Sequence, residues 1–217
     1  MSLEIDLAVA LRGRTMATLK ATVEPGAVLS VIGPSGGGKT SLLLAVAGLL
    51  DAPFTVTGTV TRDGTDLTPL PPERRRMGLM FQDALLYPHM SVVQNVLFAV
   101  PRREAGRRLT RAERRARAEA NLARVEMGHA AARDPDTLSG GQTSRVALAR
   151  TLASAPRTLL LDEPFSALDP ALRAQVRAFV FDLARQDGLP VVMVSHDPAD
   201  AEAAGGQIIE IRSCQAG

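Results

Sequence analysis

The sequence predicts an α/β protein in which a parallel sheet is flanked by helices. Continuous apolar segments at Val28–Ile32, Thr158–Leu161 and Val191–Val194 alternate with helical segments, which is typical of buried parallel strands covered on both faces. By contrast, Ile5–Leu11 and Thr55–Thr61 alternate apolar residues with others, as half-buried strands do. We therefore also expect an N-terminal antiparallel β subdomain.

Turn residues and a glycine-rich loop separate the first elements. Leu19–Val23 continues the antiparallel pattern, and Glu-Pro-Gly at 24–26 and Arg-Asp-Gly at 62–64 are predicted turns. The strand Val28–Ile32 leads into a glycine-rich loop, after which a helix is predicted from Lys39 to about Leu50.

Residues 91–155 are predicted to be mostly helical and to form an inserted helical subdomain. Ser91 with Gln94, and Thr110 with Glu113, fit the capping box, in which each side chain bonds the other residue's backbone N–H. Gly128 is predicted to end the second of these helices.

The last third alternates strand and helix. A helix is predicted over Pro170–Gln186, with Asp169 as its N-terminal cap and Gly188 as its stop. The final predicted strand is Gln207–Ile211.

Composition excludes several classes of protein. With 217 residues, 46% of them hydrophobic and 22% charged, the chain can bury a core. Its longest apolar run, Leu42–Leu50, is shorter than the about 20 residues that span a bilayer. We expect a soluble intracellular protein without a signal peptide. The single cysteine, Cys214, and the widely spaced His89, His129 and His196 predict no structural metal site.

A basic run at Arg102–Arg117 contains eight arginines and two glutamates. Two interpretations stay open: a phosphate-binding patch, or the solvated side of an amphipathic helix. The second is favoured because no aromatic residue is interleaved.

The clearest motif is a glycine-rich loop that matches the GxxxxGK[S/T] pattern between a strand and a helix. It comprises Gly33, Pro34, Ser35, Gly36, Gly37, Gly38, Lys39 and Thr40, with Ser41 next. Its glycines allow successive N–H groups to point at phosphate oxygens, and the helix adds its positive end. Lys39 supplies a charge to the β- and γ-phosphates, and Thr40 a hydroxyl ligand to Mg²⁺. The motif predicts nucleoside-triphosphate binding on a P-loop NTPase core.

Two further segments fit this chemistry. Asp162 and Glu163 follow a buried strand, where Asp162 would help to hold Mg²⁺ and Glu163 would act as general base on water. Leu138-Ser-Gly-Gly-Gln142 begins a helix with Ser139 and Gln142 as a capping box, and its glycines leave amides accessible to an anion.

With these motifs the chain resembles the nucleotide-binding subunits of ATP-binding-cassette (ABC) transporters, from about residue 3 to about residue 211. A glutamine loop with Gln82, a D-loop with Asp169 and a switch histidine, His196, extend the resemblance. It implies one ABC ATPase domain over residues 1–217. Its RecA-like core with the β subdomain would cover about 1–80, its helical subdomain about 84–155, and the remainder of the core 156–217.

The resemblance implies a head-to-tail dimer with ATP and Mg²⁺ between each phosphate loop and the partner's signature motif, Ser139, Gly140, Gly141 and Gln142. Ser139 and Gly141 would contact the γ-phosphate. Gln82 would sense Mg²⁺ and the attacking water, His196 would contact the γ-phosphate, and Asp169 would link the two sites.

The same resemblance predicts an importer subunit, similar to those for thiamine, iron and polyamines. Expected partners are a second copy of the chain, integral membrane permease subunits and a periplasmic or extracellular solute-binding protein, without nucleic acid. The expected location is the cytoplasmic face of the bacterial plasma membrane. Large apolar residues around Tyr87, within residues 81–95, look like the segment that receives a permease helix. Alternatively, they cap the helical lobe's own core.

Other functions remain as alternatives. An ATPase of an exporter or of a lipoprotein-release system shares every catalytic motif, and only the segment around Tyr87 favours an importer. Soluble ABC proteins of DNA repair or translation carry arms, zinc modules or tandem cassettes, for which 217 residues leave no room. A small-molecule kinase would not need the signature motif.

Three departures from the family pattern stand out. Residues 8–16 lack the aromatic residue that stacks on adenine in most relatives, so weak ATP binding and poor discrimination against GTP are expected. Thr143 stands where relatives usually carry Gln or Arg. The chain is also expected to lack the C-terminal regulatory domain of sugar-importer subunits.

Overall fold

The computed structural model describes residues 1–34, 36–104, 106–166 and 168–211. Ser35 of the predicted phosphate loop and Cys214 lie outside the described residues. The chain divides into two compact units. The first contains Met1–Leu79, Arg157–Glu163 and the described residues from Arg177 onward, and the second contains Met80–Pro156 and Pro164–Val176.

The secondary structure follows the alternation that the sequence predicts. The strands and helices of the first half are β1 (Leu3–Leu11), β2 (Arg14–Val23), β3 (Val28–Ile32), α1 (Lys39–Ala47), β4 (Phe54–Arg62), β5 (Thr65–Asp66), α2 (Pro72–Arg75), β6 (Met77–Met80) and α3 (Val92–Ala99). Those of the second half are β7 (Arg103–Glu104), β8 (Arg107–Arg108), α4 (Arg111–Arg124), α5 (Gly140–Ala153), β9 (Thr158–Asp162), α6 (Pro170–Asp187), β10 (Val191–Ser195), α7 (Pro198–Ala204) and β11 (Gln207–Glu210).

An antiparallel sheet forms from the N-terminal strands in the order β2-β1-β4-β5. Leu7 of β1 lies opposite Leu19 of β2 and Gly58 of β4. Alternate residues of β1 are buried, because one face of the strand packs on the core and the other meets solvent. The predicted N-terminal antiparallel sheet is confirmed.

A second sheet has the order β11-β3-β10-β9-β6, in which β10 pairs parallel to β3 and to β9, and β11 parallel to β3. Every residue of β9 and β10 is buried, as expected for central parallel strands. The core of the first unit joins the two sheets through α1, whose Leu42, Leu43 and Val46 are buried. The predicted fold class is confirmed.

Helix α1 ends three residues earlier than predicted, so the boundary at about Leu50 is wrong. Gly48 has a φ of +75°, in the left-handed region. The Gly48 N–H donates to Ala45 O at 3.0 Å, and the Leu49 N–H donates to Leu44 O at 2.8 Å. This pair of bonds is the Schellman motif, which turns the chain out of the helix although the sequence stays apolar.

The second unit contains α3, α4 and α5, which pack against one another around buried residues such as Val96, Leu122 and Leu148. Both predicted capping boxes, Ser91 with Gln94 and Thr110 with Glu113, are present.

Gly128 does not end α4, contrary to prediction. Glu126 occupies the left-handed position, with a φ of +60°, and its N–H donates to Ala123 O at 3.0 Å. The Met127 N–H donates to Leu122 O at 2.7 Å, which completes a Schellman motif without glycine. Gly128 instead begins a short 3₁₀ turn.

The basic run Arg102–Arg117 is only partly helical, which corrects the prediction of one helix face. Its first part forms the two-stranded hairpin β7–β8, and α4 follows from Arg111. Exposed ion pairs join Arg107 to Glu113 and Arg117 to Glu104.

Candidate nucleotide-binding site

The phosphate loop lies between β3 and α1 and needs glycine at both ends. A Cβ on Gly33 would lie 2.5 Å from the carbonyl oxygen of Ile211, closer than real contacts allow. Gly38 precedes α1 with a φ of +84°, and a Cβ there would lie 3.2 Å from that of Ala17. The loop is therefore shaped by close approach to β2 and to the end of the β11 segment.

Lys39 is buried, and its ammonium contacts the loop's main chain. Its Nζ donates to Gly33 O at 2.7 Å and to Pro34 O at 2.9 Å. The Gly37 N–H donates to Pro34 O at 3.1 Å, while the Cβ position of Gly36 faces open space. The first unit thus places a positive charge beside a loop whose glycines leave room for a ligand.

Thr40 and Asp162 come from α1 and β9 and meet within the first unit. The Thr40 hydroxyl donates to Asp162 Oδ1 at 3.2 Å. Asp162 is 7% exposed, and this burial raises the pKa of its carboxyl above the ordinary value, although the Thr40 hydrogen bond opposes the rise.

These two side chains suit a magnesium ion. A hydroxyl and a carboxylate are hard oxygen ligands of the kind that Mg²⁺ prefers. A divalent cation would also compensate for the cost of keeping Asp162 ionised in a buried position. The residues present therefore fit the metal that the sequence predicts.

Glu163 and His196 form the second pair of this unit. Glu163 leaves β9 with a φ of +49°, and its N–H donates to Val194 O at 2.9 Å. The Nδ1 atom of His196, just after β10, lies 2.6 Å from Glu163 Oε2.

The signature motif begins α5 in the second unit, and its predicted capping box is present. The Gln142 N–H donates to Ser139 Oγ at 3.4 Å, and the Ser139 N–H donates to Gln142 Oε1 at 3.1 Å. Ser139 and Gly140 are exposed, whereas Gly141 is buried against α6. A Cβ on Gly141 would lie 2.6 Å from the Leu172 side chain, so a larger residue there would force Leu172 to move.

Gln82 and Asp169 also belong to the second unit. Gln82 follows β6 and is exposed. Asp169 Oδ1 accepts the N–H of Leu172 at 3.1 Å, so its predicted role as the cap of α6 is confirmed. The structure thus brings the phosphate loop, Asp162, Glu163 and His196 together in one unit, and Ser139 with its cap partner Gln142 in the other.

The segment around Tyr87 presents apolar groups to solvent instead of capping the core of its own unit. Leu85 is 62% and Phe98 61% exposed, and the Tyr87 and Phe98 rings meet edge to face at 5.2 Å. Asn95 holds this segment, because its side chain accepts the Tyr87 N–H at 2.7 Å and donates to the Tyr87 and Met90 carbonyls.

Arg150 supports the same segment from α5, a contact that the sequence did not indicate. Its guanidinium donates to Leu85 O at 2.7 Å and to Ala84 O at 2.6 Å. These partners lie 65 and 66 residues away along the chain and leave no local signal, so only the folded chain reveals this role. Thr143 has a local role: its hydroxyl donates to Ser139 O at 3.0 Å, four residues back along α5.

Across the described ranges, the helices are all too short or too polar to cross a membrane. In the same part of the chain, no group of three or more His, Cys, Asp or Glu residues could hold a metal ion.

A comparison with protein families finds a match that covers most of the site. Residues 16–166 match the family model described as ABC transporter, a span that contains the phosphate loop, the signature motif and Glu163. The chain belongs to the ABC transporter family. The predicted family membership and class of activity, ATP hydrolysis coupled to transport, are thereby confirmed.

Curated relatives of this ABC chain include import ATP-binding proteins. It is 46% identical over 181 residues to the thiamine import ATP-binding protein ThiQ of Cereibacter sphaeroides, covering 83% of this chain and 75% of the relative. It is 41% identical to the sulfate/thiosulfate import ATP-binding protein CysA of Vibrio cholerae and 41% identical to the putrescine transport ATP-binding protein PotG of Escherichia coli. Those matches cover 87% and 86% of this chain but only 49% and 48% of the relatives, so the ABC chain spans about half their length.

Proposed function

We propose that the chain is the ATP-hydrolysing subunit of an ABC importer for a small solute, and that residues 1–217 form a single ABC ATPase domain. The main support is the joint placement of the phosphate loop, Asp162, Glu163 and His196 in one unit. Importer function is supported by the relatives, which are ATP-binding proteins for the import of thiamine, for the import of sulfate or thiosulfate, and for the transport of putrescine.

The phosphate loop would bind the triphosphate through its backbone amides and Lys39. Thr40 and Asp162 would hold Mg²⁺, and the ion would neutralise charge on the β- and γ-phosphate oxygens. Lys39 would exchange its contacts with Gly33 O and Pro34 O for phosphate oxygens, which is favourable because an ammonium bonds an anionic oxygen more strongly than a neutral carbonyl.

Glu163 would act as general base by accepting a proton from the attacking water. Its carboxylate lies 2.6 Å from His196 Nδ1, a contact that orients both side chains. His196 is 56% exposed at its side chain, so its ring is accessible to a γ-phosphate.

Two chains would act as a head-to-tail homodimer. Ser139, Gly140 and Gly141 of one chain would face the nucleotide bound by the other, since Ser139 and Gly140 are exposed and the start of a helix offers backbone N–H groups and a positive end to an anion. Asp169 would connect the two sites. Hydrolysis would remove the γ-phosphate that joins the two surfaces, and the dimer would loosen.

Membrane permease subunits would dock on the exposed segment around Tyr87, and a solute-binding protein would deliver the solute. Apolar side chains that are exposed together mark an interaction surface, and Leu85, Tyr87 and Phe98 have this property. The chain would then lie on the cytoplasmic face of the plasma membrane.

The deciding experiment is the mass of the Glu163→Gln protein by light scattering, with and without Mg·ATP. Without the general base, the ATP-bound dimer should persist, so the mass should double when Mg·ATP is added. ADP serves as the control and should leave a monomer. A monomer in Mg·ATP, with ATP binding shown separately, would contradict the proposed dimer.

A further inference from the structure

A buried polar network of Ser195, Asp200 and Arg177 adjoins His196. Asp200 on α7 is 3% exposed, and a carboxylate so buried needs partners for both oxygens. Its Oδ2 accepts the Ser195 hydroxyl at 2.9 Å, and its Oδ1 accepts Arg177 Nη1 of α6 at 3.1 Å.

The network closes the turn that presents His196. Ser195 Oγ donates to Asp200 and at the same time accepts the Asp197 N–H at 3.1 Å, so it bridges the residues on either side of His196. Asp197 Oδ1 in turn accepts the Ala199 N–H at 3.0 Å, which ties this turn to the start of α7. The backbone before and after His196 is thus fixed by the side chains of Ser195 and Asp197.

Arg177 holds the Asp200 carboxylate from the side opposite to that of Ser195 in the chain of contacts, through Oδ1. Besides Asp200 Oδ1, its Nη1 donates to Ala199 O at 3.0 Å. Its side chain is 19% exposed and that of Asp200 is 4% exposed, so water screens this ion pair little. Asp200 therefore has one preferred position, and through Ser195 it fixes that of the turn.

We propose that Asp200 is a positioning residue for His196: through Ser195 it sets the turn that holds the imidazole 2.6 Å from Glu163. This inference rests on the proposed function, because His196 and Glu163 are assigned their roles there. Neither Asp200 nor Arg177 belongs to the motifs that identify the site in the sequence.

Hydrolysis kinetics test the functional consequence. Asp200→Asn and Ser195→Ala should lower the turnover number by about 10- to 100-fold, since a displacement of about 1 Å at a catalytic group has effects of this size. Their affinity for a fluorescent ATP analogue should stay within about twofold, because the phosphate loop is unchanged. Ser195→Ala keeps the Arg177–Asp200 pair, so it provides a folded variant if Asp200→Asn unfolds. Glu202→Gln, an exposed change on the same helix, is the matched control and should leave both quantities unchanged.

Nuclear magnetic resonance of the histidine rings tests positioning without ATP. Glu163→Gln should shift the ring resonances of His196 in the otherwise unchanged protein, because Nδ1 contacts that carboxylate. In the Ser195→Ala or Asp200→Asn background the same change should shift them far less. An equal shift in both backgrounds, or no shift in either, would overturn the inference. If the intact protein bound but did not hydrolyse ATP while the shifts behaved as expected, the proposed function would fail and the positioning role would stand.

Discussion

Lys39 and Lys20 are the only lysines of the chain, and their environments are opposite. Lys39 is buried against the carbonyls of the phosphate loop, whereas Lys20 is exposed and paired with Asp6 on the antiparallel sheet. Lys39 can therefore be substituted to test phosphate binding, with Lys20 as the matched control.

Lys39→Ala should weaken ATP binding by roughly 10- to 100-fold, the effect of losing a hydrogen bond to a charged group. Lys20→Ala should leave the affinity unchanged, because Lys20 lies outside the phosphate loop. Equilibrium titration with a fluorescent ATP analogue measures both. Equal losses in the two variants would indicate a general charge effect and contradict the assigned role of Lys39.

Asp162 is expected to lower the stability of the nucleotide-free protein. Burial raises the pKa of its carboxyl above the ordinary value of 3.8. The folded state therefore binds the proton more tightly than the unfolded chain does. The contribution of this carboxyl to the free energy of unfolding is fully present below pH 3.8 and is lost as the pH rises through the raised pKa. Asp162→Asn keeps an oxygen that can accept the Thr40 hydroxyl, and because it carries no charge it removes the loss of stability at neutral pH.

Thermal unfolding without nucleotide checks this prediction. At pH 7, Asp162→Asn should melt at a higher temperature than the unchanged protein, and the difference should shrink toward pH 3.8. Mg·ATP should stabilise the unchanged protein but not the variant. Asp51→Asn, an exposed change, is the control. The prediction fails if the two curves coincide at every pH.

Among the elements, helices α3, α4 and α5 of the second unit begin alike but differ in proposed role. Capping boxes start α3, α4 and α5, at Ser91, Thr110 and Ser139. Loss of such a cap costs about 1 kcal/mol of stability wherever it occurs. Only α5 is proposed to face a nucleotide, so stability and function can be separated by comparing caps.

Ser139→Ala and Thr110→Ala should therefore lower the free energy of unfolding by similar amounts, about 1 kcal/mol each. In the Glu163→Gln background, only Ser139→Ala should also raise the ATP concentration needed for dimerisation. Urea unfolding and light scattering give the two quantities. If Thr110→Ala impaired dimerisation equally, the proposed contact of Ser139 with the partner's nucleotide would be wrong.

Element types were predictable from sequence, whereas several element ends were not. Apolar periodicity predicted the central strands and α1, because burial on one or both faces leaves a regular pattern. The end of α4 depends on Glu126 adopting a conformation typical of glycine, which Schellman bonds and the buried Met127 stabilise. Such a termination depends on tertiary contacts and leaves no residue-type signal.

The motif residues of the candidate site were predictable from the sequence, whereas the residues that support them were not. Short motifs encode the phosphate loop, Asp162 and the cap of α5, because each function needs particular residue types at fixed spacing. The network of Asp200, Ser195 and Arg177 has no such spacing, since its members come from α7, β10 and α6 and meet only in the fold.

At the scale of the whole molecule, dimerisation should make stability depend on protein concentration. In Mg·ATP, a tenfold increase in the concentration of the Glu163→Gln protein should raise its melting temperature by roughly 1–3 °C, because mass action favours the dimer. Without nucleotide the melting temperature should not change. Calorimetry at two concentrations measures this. Equal melting temperatures in Mg·ATP would contradict an ATP-dependent dimer.

Arg75 shows how the first unit can tolerate sequence change. Its buried guanidinium donates to main-chain oxygens of Ala45, Val46, Thr68 and Leu70, and the Arg62 guanidinium donates to the Arg75 carbonyl. Every acceptor is backbone, so these contacts do not depend on which side chains stand at the acceptor positions. A change of side chain at those four positions would therefore leave these hydrogen bonds available, although Ala45 and Val46 are also held by their burial in the core. Arg75 itself could not be replaced by a shorter side chain without losing the link between α1 and the segment that follows β5. This link thus depends on one side chain instead of on four.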